Sequence, residues 1–427
     1  MRKVFVPELP GVPDAVVALV GQCASCVNEC ARIEYVLAVC NELQLLCEER
    51  FLIYPFSEFP PVWHVLNVNV AIIAAHAAML VQADGHELLA RIRQLDLATI
   101  VSRNACKGEV AELIQQLQER VPCPARSPPR HRKKRRIQSF FGAPVNSALT
   151  VIPEIDAPSI PQFLEERCPQ GDSFGAPFIV RGYASDWPAL TPHAGRTAAR
   201  WADIDYLLQR AGPGRIVPVE TSTRYTDAQW GQVIMGWDEF LYAAGWDGGA
   251  ARNSVYLAQH TLMDQFPWLA EDLRIPKYVY SAPPRPHYAP TAPHGSCTGS
   301  SPIASVWIGA GGTVSPAHTD PYYNCYVQVV GHKEVWLAPP DAQAYMDTHR
   351  RGCELHPVGS LMENTSRIDV FGDVPAYFRK HVSCRAQHAV LGPGDMLFFP
   401  PLWWHAMRAL EQVSSQGNPG FSMSFWF

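Results

Sequence analysis

Thr313-Val314-Ser315-Pro316-Ala317-His318-Thr319-Asp320-Pro321 is the stretch on which the reading of this chain turns. At the end of a strand, residues i and i+2 point to one face. His318 and Asp320 so placed offer an imidazole and a carboxylate to one divalent ion. So short a pair also arises by chance and needs a third ligand from elsewhere. Trp403-Trp404-His405 provides it. His405 follows the apolar run Met396-Leu397-Phe398-Phe399-Pro400, which reads as the returning strand of a barrel. Two histidines and one carboxylate on one face of a metal leave the opposite positions open, as in non-haem iron(II) oxygenases.

Lys333 raises the specificity of this pattern. It stands in Gly331-His332-Lys333-Glu334-Val335-Trp336, a strand-like run after Asp320. On an isolated strand a lysine is a solvated surface charge, but inside a barrel it needs a buried anion. The far carboxylate of 2-oxoglutarate would be that anion, with the keto acid end on the iron and O2 in the last open position. The expected cofactors are therefore Fe(II), 2-oxoglutarate as co-substrate, and O2. A zinc or manganese cupin fits Lys333 and Asn324 less well.

Outward from this segment, residues 152–427 are dominated by short β-type runs between turn signals: 177–182, 305–309, Asn324–Val330, 334–337, 395–400 and 421–427. Such a pattern predicts a barrel or sandwich, with helices near 197–210 and 237–244. The fold expected is α+β: a jelly roll, or double-stranded β-helix, with flanking helices, behind an all-helical N-terminal region.

Residues from about 150 to the end resemble the JmjC-domain oxygenases, a group of cupin-type barrels. The resemblance is carried by Phe178-Ile179-Val180-Arg181-Gly182, Val217-Pro218-Val219-Glu220, Arg224-Tyr225-Thr226-Asp227, Tyr256-Leu257-Ala258-Gln259-His260, Gly331-His332-Lys333, Asn364-Thr365-Ser366, Trp404-His405 and Ser424-Phe425-Trp426. The order is collinear, which points to one branch of the group rather than to cupins at large. It implies that Tyr256, Ser315, Asn324 and Lys333 contact 2-oxoglutarate, and that Glu220, Gln259 and Trp307 line the substrate pocket. A carboxylate with an indole suits a guanidinium. Hydroxylation of an arginine in a protein is then the favoured reaction. N-methyl-lysine demethylation is the runner-up, and a non-catalytic scaffold the third reading. Tyr322, Tyr323 and Cys325 depart from the group's usual residues, and 281–304 and 412–420 look like insertions at the substrate mouth.

The first 121 residues are of another kind. Apolar residues recur at helical spacing over 14–50, 62–82, 86–102 and 107–120. They predict a helical domain for docking or for packing on the rest of the chain. Cys23, Cys26, Cys30, Cys40 and Cys47 fall within the first of these segments, where buried thiols are expected and a zinc site is the less favoured alternative. Residues 122–151 form a Pro-rich basic linker containing Arg130-His131-Arg132-Lys133-Lys134-Arg135-Arg136. So dense a charge stays solvated; beyond a plain linker, it suits a nuclear-import signal or a nucleic-acid contact, and the choice between those two is open. Nuclear localisation is expected, with a cytoplasmic pool compatible. The partner expected is a protein or peptide bearing a basic residue, from histones or other nuclear or ribosomal proteins.

Composition bounds these readings. With 427 residues, 47% apolar and 18% charged, two or three domains with a sizeable core are expected. A net charge of −5 argues against a surface coated in nucleic-acid-binding lysines. The N-terminus does not read as a signal peptide, and the alanine-rich stretch 65–81 reads as a buried or partner-facing helix rather than a bilayer span, so no membrane partner is expected.

Overall fold

The computed structural model describes residues 3–54, 59–102, 107–122, 149–193, 195–227, 229–249, 251, 254–289, 302–349, 362–410 and 419–427. The basic run at 130–136 and much of the expected insertions 281–304 and 412–420 lie outside the described residues.

Among the described residues, five helices precede the barrel: α1 (Asp14–Asn28), α2 (Ile33–Ile53), α3 (Pro61–Leu80), α4 (Gly85–Val101) and α5 (Lys107–Gln118). The single helix expected over 14–50 is in fact two. Cys30 and Arg32 have φ of 53° and 52°, a left-handed conformation that a right-handed helix cannot continue through. No glycine or proline marks this reversal, so the sequence conceals it. Asp84 caps α4 by accepting from the Glu87 backbone N–H at 2.9 Å.

α3 is the hub of the bundle. It is long and apolar enough to cross a membrane, yet 78% of its apolar window is buried inside the protein. Leu66, Val70, Ile73 and Ala77 pack against α1 and α2, while Val68, Ala71, Ile72 and Ala75 face α4 and α5. Helical spacing in α5 places Val110, Leu113, Ile114 and Leu117 in the second of these clusters. Cys23, Cys40 and Cys47 are fully buried among the valines of α1 and α2. Burial pushes the Cys47 thiol up to about 12. These thiols serve as small hydrophobes; among the described residues, the one metal-capable cluster lies in the barrel instead.

Thirteen strands follow among the described residues: β1 (Thr150–Val151), β2 (Phe178–Val180), β3 (Ile216–Glu220), β4 (Gln232–Gly236), β5 (Tyr256–His260), β6 (Ile303–Gly309), β7 (Val314–His318), β8 (Asn324–Val330), β9 (Lys333–Ala338), β10 (Gln387–Leu391), β11 (Met396–Phe399), β12 (Trp404–Ala409) and β13 (Gly420–Trp426). They form a five-stranded sheet, β1-β10-β9-β12-β7, and an eight-stranded one, β2-β11-β8-β13-β6-β5-β3-β4. Strands β6 to β13 divide four and four between the two sheets, which is the jelly roll. The barrel sheet begins at Thr150, which pairs with Gln387.

Strand alternation sorts the side chains into three layers. Ile179, Tyr326, Val335, Leu337, Leu397, Phe399 and Met407 fill the space between the sheets. The opposite face of the larger sheet, with Cys325, Val327, Phe398 and Met423, packs on the flanking helical segments. The outer face of the smaller sheet, with Trp336, Ala338 and Trp404, packs on 340–345 and 376–383. Gly309 lets β5 approach β6 closely, since a Cβ there would lie 2.7 Å from the Tyr256 ring and 2.8 Å from the Val255 carbonyl.

Candidate metal centre

β7 and β12 are antiparallel neighbours, and their register sets His405 directly opposite His318. Ligands far apart in sequence are therefore adjacent by strand pairing alone. Asp320 follows just beyond β7, its carbonyl accepting from the Leu402 backbone N–H at 2.8 Å in the turn before β12. The His405 Nε2 is 3.4 Å from Asp320 Oδ2, and His318 Nε2 is 3.8 Å from the same oxygen. The three ligand atoms lie within 4.8 Å of one another, close enough for one ion bound at about 2.1 Å from each.

The outward nitrogens are already committed. His318 Nδ1 is 2.7 Å from the Pro316 carbonyl, and His405 Nδ1 is 3.0 Å from that of Trp403. Each carbonyl takes the Nδ1 proton and leaves Nε2 as a lone-pair donor, the outer-shell arrangement typical of metal-binding histidines. Burial, then the neighbouring His405, depresses the His318 imidazole to about 4. Burial raises the Asp320 carboxyl, but the His405 and His318 imidazoles beside it hold it below its ordinary value. The donor set, two imidazoles and a carboxylate, suits a divalent cation.

The HxD loop is held from outside. Thr319 N–H donates to the Asn364 carbonyl at 3.1 Å, Asn364 Nδ2 returns a bond to the Thr319 carbonyl at 2.7 Å, and Ser366 N–H donates to Ala317 at 2.8 Å. Tyr225 hydroxyl meets Thr365 Oγ1 at 3.3 Å, with its ring against His318.

A cleft opens on these side chains, and Trp307, Ser315, Asn324 and Tyr326 line it too. Lys333 heads β9 inside the barrel at 2% exposure. Its Nζ donates to Tyr326 at 2.9 Å and to Tyr256 at 3.4 Å, and the Tyr256 hydroxyl is 3.4 Å from Ser315. Burial alone lowers the ammonium to about 7, and no carboxylate pairs with it among the described residues. Asn324 lies at the other end of β8, its Oδ1 accepting from Ser424 at 2.8 Å.

Tyr326 is the residue that sequence reading passed over. It sits two positions after Asn324 and so shares its face; the period of the strand was the available signal.

The three expected substrate residues are placed differently. Glu220 ends β3, paired with Tyr256 of β5; burial raises its carboxyl and the Trp230 indole partly offsets this. Trp307 lines the cleft, and its buried Nε1 has no hydrogen-bond partner among the described residues. Gln259 stands exposed, at φ 50°, on the bulge where the β5–β6 register shifts. Tyr323 and Cys325 turn to the outer face of the larger sheet, while Tyr322 stacks on Trp426 at 5.1 Å.

Comparison with known proteins agrees with this geometry. The cupin-like domain family matches residues 173–427. Jumonji C domain-containing protein 5 of Drosophila melanogaster is 34% identical over 279 residues, covering 65% of this chain and 59% of that protein. Lysine-specific demethylase 8 is 33% identical over 287 residues in Xenopus tropicalis (66% of this chain, 54% of that one) and 32% over 300 residues in Danio rerio (69% and 62%). The chain spans a little over half the length of these curated relatives. Jelly-roll topology, the His-Asp-His cluster and these similarities agree: the chain belongs to the cupin-like domain family, as a JmjC-domain member of it.

Proposed function

We propose that this protein is an Fe(II)- and 2-oxoglutarate-dependent oxygenase that hydroxylates an arginine side chain in a protein substrate. The observation that carries the proposal is Lys333: a cation sealed inside the barrel beside the His318-Asp320-His405 cluster, with hydroxyls around it and no counter-charge among the described residues. A dicarboxylate is the right ligand for that position. Iron, 2-oxoglutarate and O2 together supply an oxidant able to attack an unactivated C–H bond.

The chain's own residues do the rest. His318, Asp320 and His405 would hold the ion by one face. Lys333, Tyr326, Tyr256 and Ser315 would bind the far carboxylate, hydroxyl donors and one ammonium being suited to it. Asn324 closes the cage on the Ser424 side. Glu220 and Trp307 favour a guanidinium at the mouth by charge and by the face of the indole. The apolar lining from Phe399 and Met407 keeps the cleft dry. The reading also places the protein in the nucleus, acting on a histone or another basic protein.

Purified full-length protein, incubated with Fe(II), ascorbate, 2-oxoglutarate and basic peptides, tests this. Succinate with one oxygen gained on arginine is the expected result. Loss of a methyl group with release of formaldehyde would select the demethylase reading, which the names of the relatives favour. Succinate absent with every peptide, and absent also without peptide, would leave the chain as a scaffold. His405→Ala is the control: it should abolish turnover and metal retention while the fold, followed by circular dichroism, survives.

A further inference from the structure

A second buried cation lies at the seam between the helical region and the barrel. Arg215, immediately before β3, is 3% exposed, and Asp96 on α4 is fully buried. Their contact is bidentate: Arg215 Nε to Asp96 Oδ2 at 2.8 Å and Nη2 to Oδ1 at 2.7 Å. Asp96 Oδ2 also accepts from the backbone N–H of Ile216, the first residue of β3, at 3.0 Å. Nη2 of Arg215 further donates to the Gln265 carbonyl at 2.7 Å. The Gln265 amide returns to the Ile216 carbonyl at 2.6 Å, and its Oε1 is 2.8 Å from Nε2 of His260, the last residue of β5.

The network therefore ties one helix to the roots of two strands. β3 runs from Ile216 at the seam to Glu220, and β5 runs back from Tyr256, opposite Glu220, to His260. Four residues of strand, about 13 Å, separate Ile216, which Asp96 holds, from Glu220. Packing closes the same seam. Gly214 has φ of +79°, and a Cβ there would meet Leu89 of α4 at 2.8 Å. Gln118 of α5 donates to the carbonyls of Ala211 and Pro213 at 3.0 Å each.

We infer that the helical region is a fixed wall of the substrate mouth, with Asp96 as a positioning residue that sets β3 and β5 through Arg215 and Ile216. The inference rests on the proposed function only in taking Glu220 and Tyr256 to face substrate and co-substrate. A surface ion pair would tolerate either partner sliding. This one cannot, because each oxygen of the carboxylate has its own buried donor and a displaced guanidinium would sit unpaired in apolar surroundings.

The test uses the full chain in three forms: wild type, Asp96→Asn, and the paired Asp96→Leu/Arg215→Met, which removes both charges and keeps an apolar seam. Amide hydrogen exchange is read strand by strand. Expected is exchange faster by about tenfold over 216–220 and 256–260 in both variants, with β7, β12 and α1–α3 unchanged. With a peptide that wild type turns over, KM for the peptide should rise by about tenfold to a hundredfold, and 2-oxoglutarate affinity should weaken to a smaller extent through Tyr256, while Mn(II) affinity holds. Folded variants with wild-type protection in β3 and β5, or with protection lost equally everywhere, would overturn the inference. Should wild type itself turn over no peptide, the proposed function fails and the exchange measurement still decides this one.

Discussion

Arg215 and Lys333 are both cations buried to within a few per cent, and they differ in one respect. Arg215 has its anion in the chain, with both oxygens of Asp96 on its guanidinium. Lys333 has two tyrosine hydroxyls and no carboxylate among the described residues. A buried charge has to be compensated or it shifts its pKa. At the seam, compensation comes from folding, so the pair is part of the architecture. In the barrel it is left incomplete, so the ammonium drops to about 7 and the position invites a ligand. The contrast separates a structural ion pair from half of a binding site.

Four measurements bear on this contrast, and the largest effect is expected at the seam. Asp96→Ala strands a guanidinium and should lose about 3–5 kcal/mol of unfolding free energy, read by urea denaturation, whereas the paired Asp96→Leu/Arg215→Met variant should be near neutral. A loss below 1 kcal/mol for Asp96→Ala would mean that the pair is not desolvated as described, about 1 kcal/mol being the usual ceiling for an exposed pair.

Lys333→Met should behave oppositely. Without ligand it removes an uncompensated buried charge, so stability should hold or rise. Affinity for 2-oxoglutarate, by calorimetry on the Mn(II) protein, should fall by about 2–5 kcal/mol. If this variant is as unstable as Asp96→Ala, the barrel cation is structural after all and the contrast collapses.

The third effect is a proton count. Lys333 without ligand is neutral above about 7, and a bound dicarboxylate pulls the pKa back up. Binding above that pH must therefore take up a proton, and affinity should weaken by up to tenfold per unit as pH rises from 7 toward about 9. Calorimetry at about pH 8 in two buffers of different ionisation heat reads the uptake directly; equal heats would count against it. Smallest is Tyr326→Phe, which deletes one neutral hydrogen bond to Lys333 and should cost about 1 kcal/mol in 2-oxoglutarate affinity.

Much of the site was legible because it obeys short-range rules. His318 and Asp320 are two residues apart at a strand end, and the strand β8 alternates so regularly that Asn324 predicts the inward face of Tyr326. His405 could be guessed from an apolar run before it. Three things were not legible. The break between α1 and α2 rests on two left-handed residues, Cys30 and Arg32, that are neither glycine nor proline. Gln259 is exposed because a bulge falls within β5, and a bulge is a matter of pairing, not of composition. The Asp96–Arg215 contact joins a helix of the N-terminal bundle to the foot of a strand of the β part, with no periodicity to announce it.

By itself, then, the sequence determined which side chains could bind a cation and a dicarboxylate, that a helical part precedes a β part, and the inward and outward faces of the longer strands. These follow from local geometry, in which neighbours along the chain dictate direction. Only the tertiary structure decided that His405 stands opposite His318, that Lys333 is left without an anion among the described residues while Arg215 is not, and that the helical region roots the strand bearing Glu220. Each is a question of which distant groups share a desolvated space, and burial, unlike periodicity, belongs to the folded chain as a whole.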